Sequence, residues 1–361
     1  MALTDIQAIS GYAGKYYQKI IRKIMNQLDI AGDVKLLRNV TAPKRLWGFN
    51  ATGGLRPLDY NVEDTNKSNG SFDLRTLVPE IAMRIIKIIP EEFRDTFFSE
   101  VLSENAKDLP AEFAEYFWDQ IIKTVIAEIN DNAYFGISAS SVAAFNPATA
   151  YAVGSKVRFQ TTEGQEYFEA VVLTTAGDTP VSAPAKWKNI NNRCLAKGFG
   201  TIIQDEITSG LHTNITVTGA ITQSNALAQI DGAMWGSIPH VVRRAGITFY
   251  MSEVIYDLRV KALRAQMEAG SSFSEAEFEK RKRQITDSEG KGIIKPVSWM
   301  SGSGRVNWTI ADNMIMGTNQ LPGANPFGNV VQGLQHYRTI MKLITCYQIC
   351  DFRYFGSNDV K

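Results

Sequence analysis

A small module sits in mid-chain, at about residues 144–192, and constrains the fold more than any other stretch. Tyr151, Gly154, Val157, Tyr167, Gly177, Pro180, Pro184 and Trp187 are spaced as in a miniature all-β domain. Its flanks differ in character. A helical pattern runs up to Phe135, and a polar region that reads as strands and turns extends from Arg193 to Gly219. A complete small domain inside another requires a host that tolerates insertion at a surface loop, with the ends of the insert close together.

The host has room for a sizeable core, because 361 residues suffice for two or three domains. The formal charge of +1 gives no bulk attraction to nucleic acid or membrane. Cys194, Cys346 and Cys350 are too few for a disulfide framework, and their odd count fits a reducing compartment. The opening MALTDIQAIS lacks a basic segment followed by an apolar run, so no secretory signal is expected. No apolar run approaches the ~18 residues that span a bilayer. The expectation is a soluble chain without membrane contact, kept inside a cell until assembly or lysis.

Residues 6–29 read as an amphipathic helix. Ala13, Tyr16, Tyr17, Ile20, Ile21, Ile24, Met25 and Leu28 recur at three- and four-residue steps, with Lys15, Lys19, Arg22 and Lys23 between them. Two readings of that basic face stand: a solvated surface, or a contact with nucleic acid or a neighbouring subunit. Residues 44–89 read as a two-armed β element. Its first arm runs from Lys44 toward Tyr60, a polar turn with Asn69-Gly70 follows, and a second arm from Phe72 ends before Pro90. Such a ribbon is marginally stable alone and calls for a partner surface.

Helices are expected at 91–103 and 109–135. The second has Asp108 as N-cap, Pro110 in the first turn, and Phe113, Phe117, Ile121, Val125, Ile129 and Ala133 at four-residue steps. It would be about 40 Å long, more natural in a structural spine than in a globular enzyme. Beyond the module, a helix over 222–244 is expected to break near Pro239. A buried strand ITFYM leads to a helix over 252–269. Ser274 and Glu277 form a capping-box pattern opening a charged helix whose basic run 280–283 reads as a solvated face. The last seventy residues are strand-rich.

Catalytic signatures are missing. There is no GxxxxGK(S/T), no helix-opening GxGxxG, no HExxH and no GxSxG. His212, His240 and His336 are scattered and read as surface or core residues. Cys346 and Cys350 have half of a zinc spacing without a second pair. No catalytic residue, metal or cofactor is expected.

The order of elements resembles the major capsid protein of tailed phages, the Hong Kong 97 type. Three phrases carry the likeness locally. LPAEFAEYFWDQIIKTVIAEINDNAYFG resembles that family's spine helix, and AGITFYMSEVIYDLRVKAL its axial strand-then-helix step. TIADNMIMGTN, with Asn313, Met314, Gly317 and Thr318, resembles a late strand and turn. The resemblance implies an α+β fold: an N-terminal arm (1–43), an extended β-hairpin loop (44–90) and a peripheral domain with the spine helix (91–143). The inserted β domain (144–192) follows, then axial and remaining peripheral segments (193–361).

Implied function is a non-enzymatic subunit that assembles as hexamers and pentamers into an icosahedral head around double-stranded DNA. Implied partners are other copies of the chain, the packaged DNA, and portal, scaffolding or cement proteins. Lys15, Lys19, Arg22 and Lys23 are the DNA-facing candidates. The implied location is the virion, assembled in the host cytoplasm. An encapsulin-like nanocompartment shell is the alternative within this fold, and a chitin-binding carbohydrate-active protein the alternative outside it.

The module itself resembles small chitin-binding domains of the family five/twelve type. Tyr151, Gly154, Val157, Tyr167, Ala170, Pro180 or Pro184, and Trp187 stand in that pattern's places. Phe145 stands at its first aromatic position, and Val172 where a second tryptophan is common. Tyr151, Tyr167 and Trp187 are the glycan-contact candidates that this resemblance implies, on a module displayed outside the shell. The other reading is that these aromatics hold the module together and bind nothing.

Overall fold

A computed structural model describes residues 28–50, 70–88, 111–269, 274–319, 331–332 and 337–360. The expected helices at 6–29 and 91–103, the candidates Lys15, Lys19, Arg22 and Lys23, the caps Asp108 and Pro110, and most of the turn at 61–71 lie outside these residues.

Among the described residues, a 3-10 turn at Asp29–Gly32 is followed by four strands: β1 (Lys35–Leu37), β2 (Lys44–Asn50), β3 (Ser71–Leu77) and β4 (Glu80–Ile88). A 25-residue helix, α1 (Ala111–Phe135), follows. The module contributes β5 (Ala143–Ala144), β6 (Lys156–Thr161), β7 (Gly164–Ala170) and β8 (Trp187–Asn189). Next come α2 (Phe199–Thr208), β9 (Ile215–Thr216) and α3, a π-helical stretch Ala228–Met234 closed by an α-turn Trp235–Ser237. Then follow α4 (His240–Arg244), β10 (Ile247–Met251), α5 (Glu253–Glu268) and α6 (Glu275–Arg283). The chain closes on β11 (Gly292–Pro296), β12 (Val306–Thr309), β13 (Met314–Asn319), β14 (Val331–Gln332), β15 (Tyr337–Ile349) and β16 (Phe355–Asn358).

Two sheets build the host. In the first, β1, β13, β15 and β14 lie in that order, and β4 pairs antiparallel with β15 over nine residues, from Glu80 opposite Thr345 to Ile88 opposite Tyr337. This sheet packs on α1. Ile121, Ile122, Val125, Ile129 and Ala133 of the helix share a core with Met314, Met316, Met341, Leu343 and Tyr347. Each fully buried large aliphatic chain in such a core contributes about 1.5–3 kcal/mol. The second sheet runs β11-β10-β12-β16-β9, with Phe249, Met251, Ile294, Val306 and Trp308 covered by α3 and α5.

Three elements depart from the sequence reading. The second arm of the ribbon is not one strand. β3 pairs with β2 and β4 with β15, and the break falls at Val78-Pro79, where proline has no N–H to give a ladder. The region 193–219 holds a helix, α2, where strands and turns were expected. Its β-branched residues suggest extended chain, yet Phe199, Ile202 and Ile203 recur at helical spacing and are buried. Phe199 meets Tyr347 at 5.4 Å and Trp299 at 6.1 Å between ring centroids, so tertiary burial overrides local propensity. The helix expected over 222–244 does break at Pro239, but its first part is π-wound. There Asp231 accepts hydrogen bonds from Arg259 Nε and Nη2, both at 2.8 Å, and from Thr286 Oγ1 at 2.7 Å. Arg259, fully buried, also donates to the carbonyls of Arg281 and Gln284, so α3, α5 and the end of α6 are tied to one ion pair. The ITFYM strand and the Ser274 cap, whose Oγ accepts from Glu277 N, are as expected.

Gly136, which follows the last residue of α1, stands where nothing larger fits. A Cβ there would lie 2.2 Å from the Ala196 carbonyl oxygen, and one at Gly198 would lie 2.5 Å from that of Asn132. Gly198 N donates to Gly136 O at 2.9 Å, so the chain leaving α1 toward the module and the chain returning to α2 touch.

Candidate assembly and binding surfaces

The β2–β3 ribbon and β4 expose apolar side chains in a pattern dictated by strand alternation. Trp47 and Leu74 are register partners across the ribbon. Along β4, Ala82, Arg84 and Ile86 point toward α1, and Ile81, Met83 and Ile85 point away. Trp47, Leu74, Ile81, Met83 and Ile85 are 50–76% exposed. Among the described residues, β4 pairs on one side only, with β15.

The root of this surface is fastened tightly. Arg75 on β3 donates to both carboxylate oxygens of Glu206 on α2, at 2.6 and 3.2 Å, and stacks 4.6 Å from the centre of the Phe352 ring. Burial works against its charge, but the hydrogen bond and the charges of Glu206, Asp73 and Asp351 outweigh it and raise its pKa. On β4, Arg84 holds Glu128 of α1 at 3.1 and 3.2 Å. Leu77 is buried with Val40, Ile315 and Cys346. Beneath the Phe352 ring lies His212, its ring centroid 5.0 Å away. His212 Nε2 is 3.2 Å from Ser357 Oγ, and its Nδ1 has no partner among the described residues. Burial, then the positive charge of Arg305, pushes its pKa down to about 4. Sequence reading treated His212 as a surface or core residue and Glu206, beside Asp205, as an ordinary surface acid. Only the contact between α2 and the ribbon root reveals them.

In the module, β6 and β7 form a tight hairpin with Val157 opposite Phe168 and Arg158 opposite Tyr167. Facing pairs share a side of the sheet, so Val157 and Phe168 lie on one face and Tyr167 on the other. Trp187 is 6% exposed and packs with Val157 and Ala170 against Phe145, Tyr151 and Phe168. Its Nε1 donates to the Asp178 carbonyl at 3.1 Å. Tyr151 stacks on Phe145 at 5.5 Å and meets the Trp187 ring edge-on at 5.5 Å, and its hydroxyl accepts from Asn146 N at 2.7 Å. Tyr167 instead packs with Val142, Ile190 and Cys194 at the junction with the host. The three glycan-contact candidates therefore form no common platform. Trp187 and Tyr151 sit together in the module's core, and Tyr167 lies on the opposite face.

The module is mounted rigidly. Asp131 near the end of α1 accepts from Arg193 Nε at 2.9 Å, Arg193 Nη2 at 3.2 Å and Asn192 Nδ2 at 2.9 Å. The Arg193 guanidinium also lies 5.0 Å from the centre of the Phe135 ring.

No group of three or more His, Cys, Asp and Glu side chains among the described residues could hold a metal ion. Burial pushes the thiols of Cys194 and Cys346 up to about 12 and that of Cys350 to about 11, far from thiolate reactivity. No described helix is long and apolar enough to cross a membrane.

No family model and no curated protein sequence matches the chain. Solved structures do. A chain in the procapsid of satellite phage P4 that includes the size determination protein superposes with a TM-score of 0.53 at 10% identity. That match covers 95% of this chain and 90% of the other. The capsid of Myoviridae phage XM1 gives 0.45 at 11% identity over 91% and 90%. The capsid of an empty GTA particle gives 0.45 at 9% identity over 92% and 89%. At 10% identity the P4 match concerns the fold: this chain has a mixed α+β fold matching a phage capsid structure over nearly its whole length.

Proposed function

We propose that the chain is the major capsid protein of a tailed phage or prophage, a non-enzymatic subunit that assembles with itself into a head shell around double-stranded DNA. One observation carries the reading: on a capsid-type fold, the ribbon and β4 leave a run of large apolar side chains uncovered while their root is fixed by Arg75, Arg84 and Leu77. Apolar surface of this kind marks a contact. A second copy is the partner that a shell supplies, and many modest contacts then act together. In this reading 44–90 is the extended loop, α1 the spine, and 144–192 an insert facing outward from the virion. Packaged DNA meets inward basic side chains, with Lys15, Lys19, Arg22 and Lys23 the first to test, after assembly in the host cytoplasm.

Electron microscopy and analytical ultracentrifugation of the expressed protein test this. Shells, capsomers or tubes are the expected outcome. A strictly monomeric particle across salt, pH and crowding conditions would overturn the reading. Shells purified with an enzyme inside and no DNA would replace it with a nanocompartment.

A further inference from the structure

Residues 355–360 are held by their side chains as much as by their ladder. β16 lies between β12, antiparallel, and β9, a parallel strand of two residues. Asn358 is fully buried: its Oδ1 accepts from Val306 N at 2.9 Å, and its Nδ2 donates to Gly304 O and Thr218 Oγ1, each at 3.2 Å. An Asp359 carboxylate oxygen accepts from the backbone N of Thr218 at 2.8 Å and of Gly219 at 3.1 Å. The Val360 carbonyl accepts from Arg305 Nε at 2.9 Å. Gly356 is specified by shape, since a Cβ there would lie 2.2 Å from the Trp308 ring. Backbone pairing for affinity and side-chain sites for sequence are how a sheet edge recognises an extended peptide.

The wall on the outer side is thin. Within 209–220, only His212 and Thr218 are buried, and both bond to this segment, His212 through Ser357. Leu211 and Val217 beside them are 67% and 80% exposed. Outward movement of this one short stretch would free the strand while β12 keeps its pairing with β10. The docked strand also reaches the ribbon. Phe355 meets Phe352 at 5.4 Å and His212 at 5.6 Å between ring centroids, and Phe352 is the ring on which Arg75 of β3 stacks. Asn214 Nδ2 spans the carbonyls of Phe352 and Phe355, at 3.1 and 3.2 Å.

We propose that residues 355–360 act as a releasable latch: a peptide ligand of their own chain, seated in the cleft between 212–219 and β12, whose docking holds the ribbon root in place. An extended peptide of the same sequence, supplied separately, is then the ligand that the opened cleft takes. The latch does not rest on the shell reading, since one subunit contains all of it. On a shell subunit, an undocked latch leaves the ribbon without its Phe352 footing.

Full-length protein and a fluorescent peptide of residues 355–361 provide the test, read by anisotropy and by hydrogen exchange over Ser71–Leu77. The peptide should compete for the cleft. Asn358→Ala in the protein should raise its uptake at fixed concentration about tenfold, as one net buried hydrogen bond is lost. A peptide carrying Asn358→Ala, or one of scrambled order, should not enter. Exchange over Ser71–Leu77 should quicken in the Asn358→Ala protein and slow again when the unaltered peptide is added, a rescue that a purely packing role would not give. Should Asn358→Ala not fold, Asp359→Ala, on the exposed rim, takes its place with the same expectations. No uptake of the unaltered peptide by the variant overturns the proposal. So does uptake of the scrambled peptide to the same extent, or exchange over Ser71–Leu77 indifferent to both variant and peptide.

Discussion

Two β elements stand off the host body, and they solve the problem of a small sheet in opposite ways. The module closes on itself. Its Trp187, Tyr151 and Phe145 interlock, and Val157 and Ala170 complete a core within about fifty residues. The β2–β3 ribbon and the outward face of β4 do the reverse: Trp47, Leu74, Ile81, Met83 and Ile85 are exposed, although β4 itself is a strand of the host sheet. A sheet of two to four short strands cannot bury both of its faces by itself. The module recruits its own loops as a second layer, and the ribbon has none. The first covers an aromatic core with its own loops, and the second leaves its large apolar side chains exposed.

Charging the outward face of β4 should break this contrast most forcefully. Ile81→Glu with Ile85→Glu is expected to abolish assembly while the isolated subunit melts as before. Each contact would lose about 2 kcal/mol per apolar side chain, or about thirtyfold in its equilibrium constant. Sedimentation velocity beside a thermal melt reads both quantities. Undiminished assembly would mean that the outward face is not an interface.

The converse substitution lies in the module. Trp187→Ala should cost about 3–5 kcal/mol, confined to the module. Limited proteolysis would then cut between residues 145 and 190 while particles still form. Loss of particles would make the module a structural joint.

The smallest of the three effects sharpens the comparison by pH. The module contains no histidine, whereas His212 is buried at the ribbon root. Its folded-state pKa of about 4 lies below the ordinary 6.5, so the unfolded chain binds the extra proton first. Host stability is therefore full above pH 6.5 and falls as the pH drops toward 4, by up to about 3 kcal/mol from this group. Denaturant melts across that window should slope for the host and stay flatter for the module. His212→Gln should remove that part of the slope.

The long apolar patterns and the Ser274 cap were legible in sequence. Four-residue spacing in Ile121, Val125, Ile129 and Ala133 identifies α1 and its buried face, and ITFYM identifies β10. What failed depended on distant residues. α2 is a helix because Tyr347 and Trp299 cover it, and Pro79 divides a strand because β15 captures one half. The binding surfaces were less legible still. Aromatics at Tyr151, Tyr167 and Trp187 look equivalent along the chain. Pairing register alone puts Tyr167 on the other face of the sheet, and packing decides that Trp187 is core.

The single hydrogen bond between Gly136 and Gly198 has a consequence for how such a chain can change over generations. The backbone leaves the spine and returns to it at adjoining residues, so the host sees any cargo carried between them as one closed stitch. A recombination event that exchanged the whole stretch would leave the registers of α1 and α2 untouched. The position is a natural socket: what lies between the two glycines can be exchanged while α1 and α2 keep their packing.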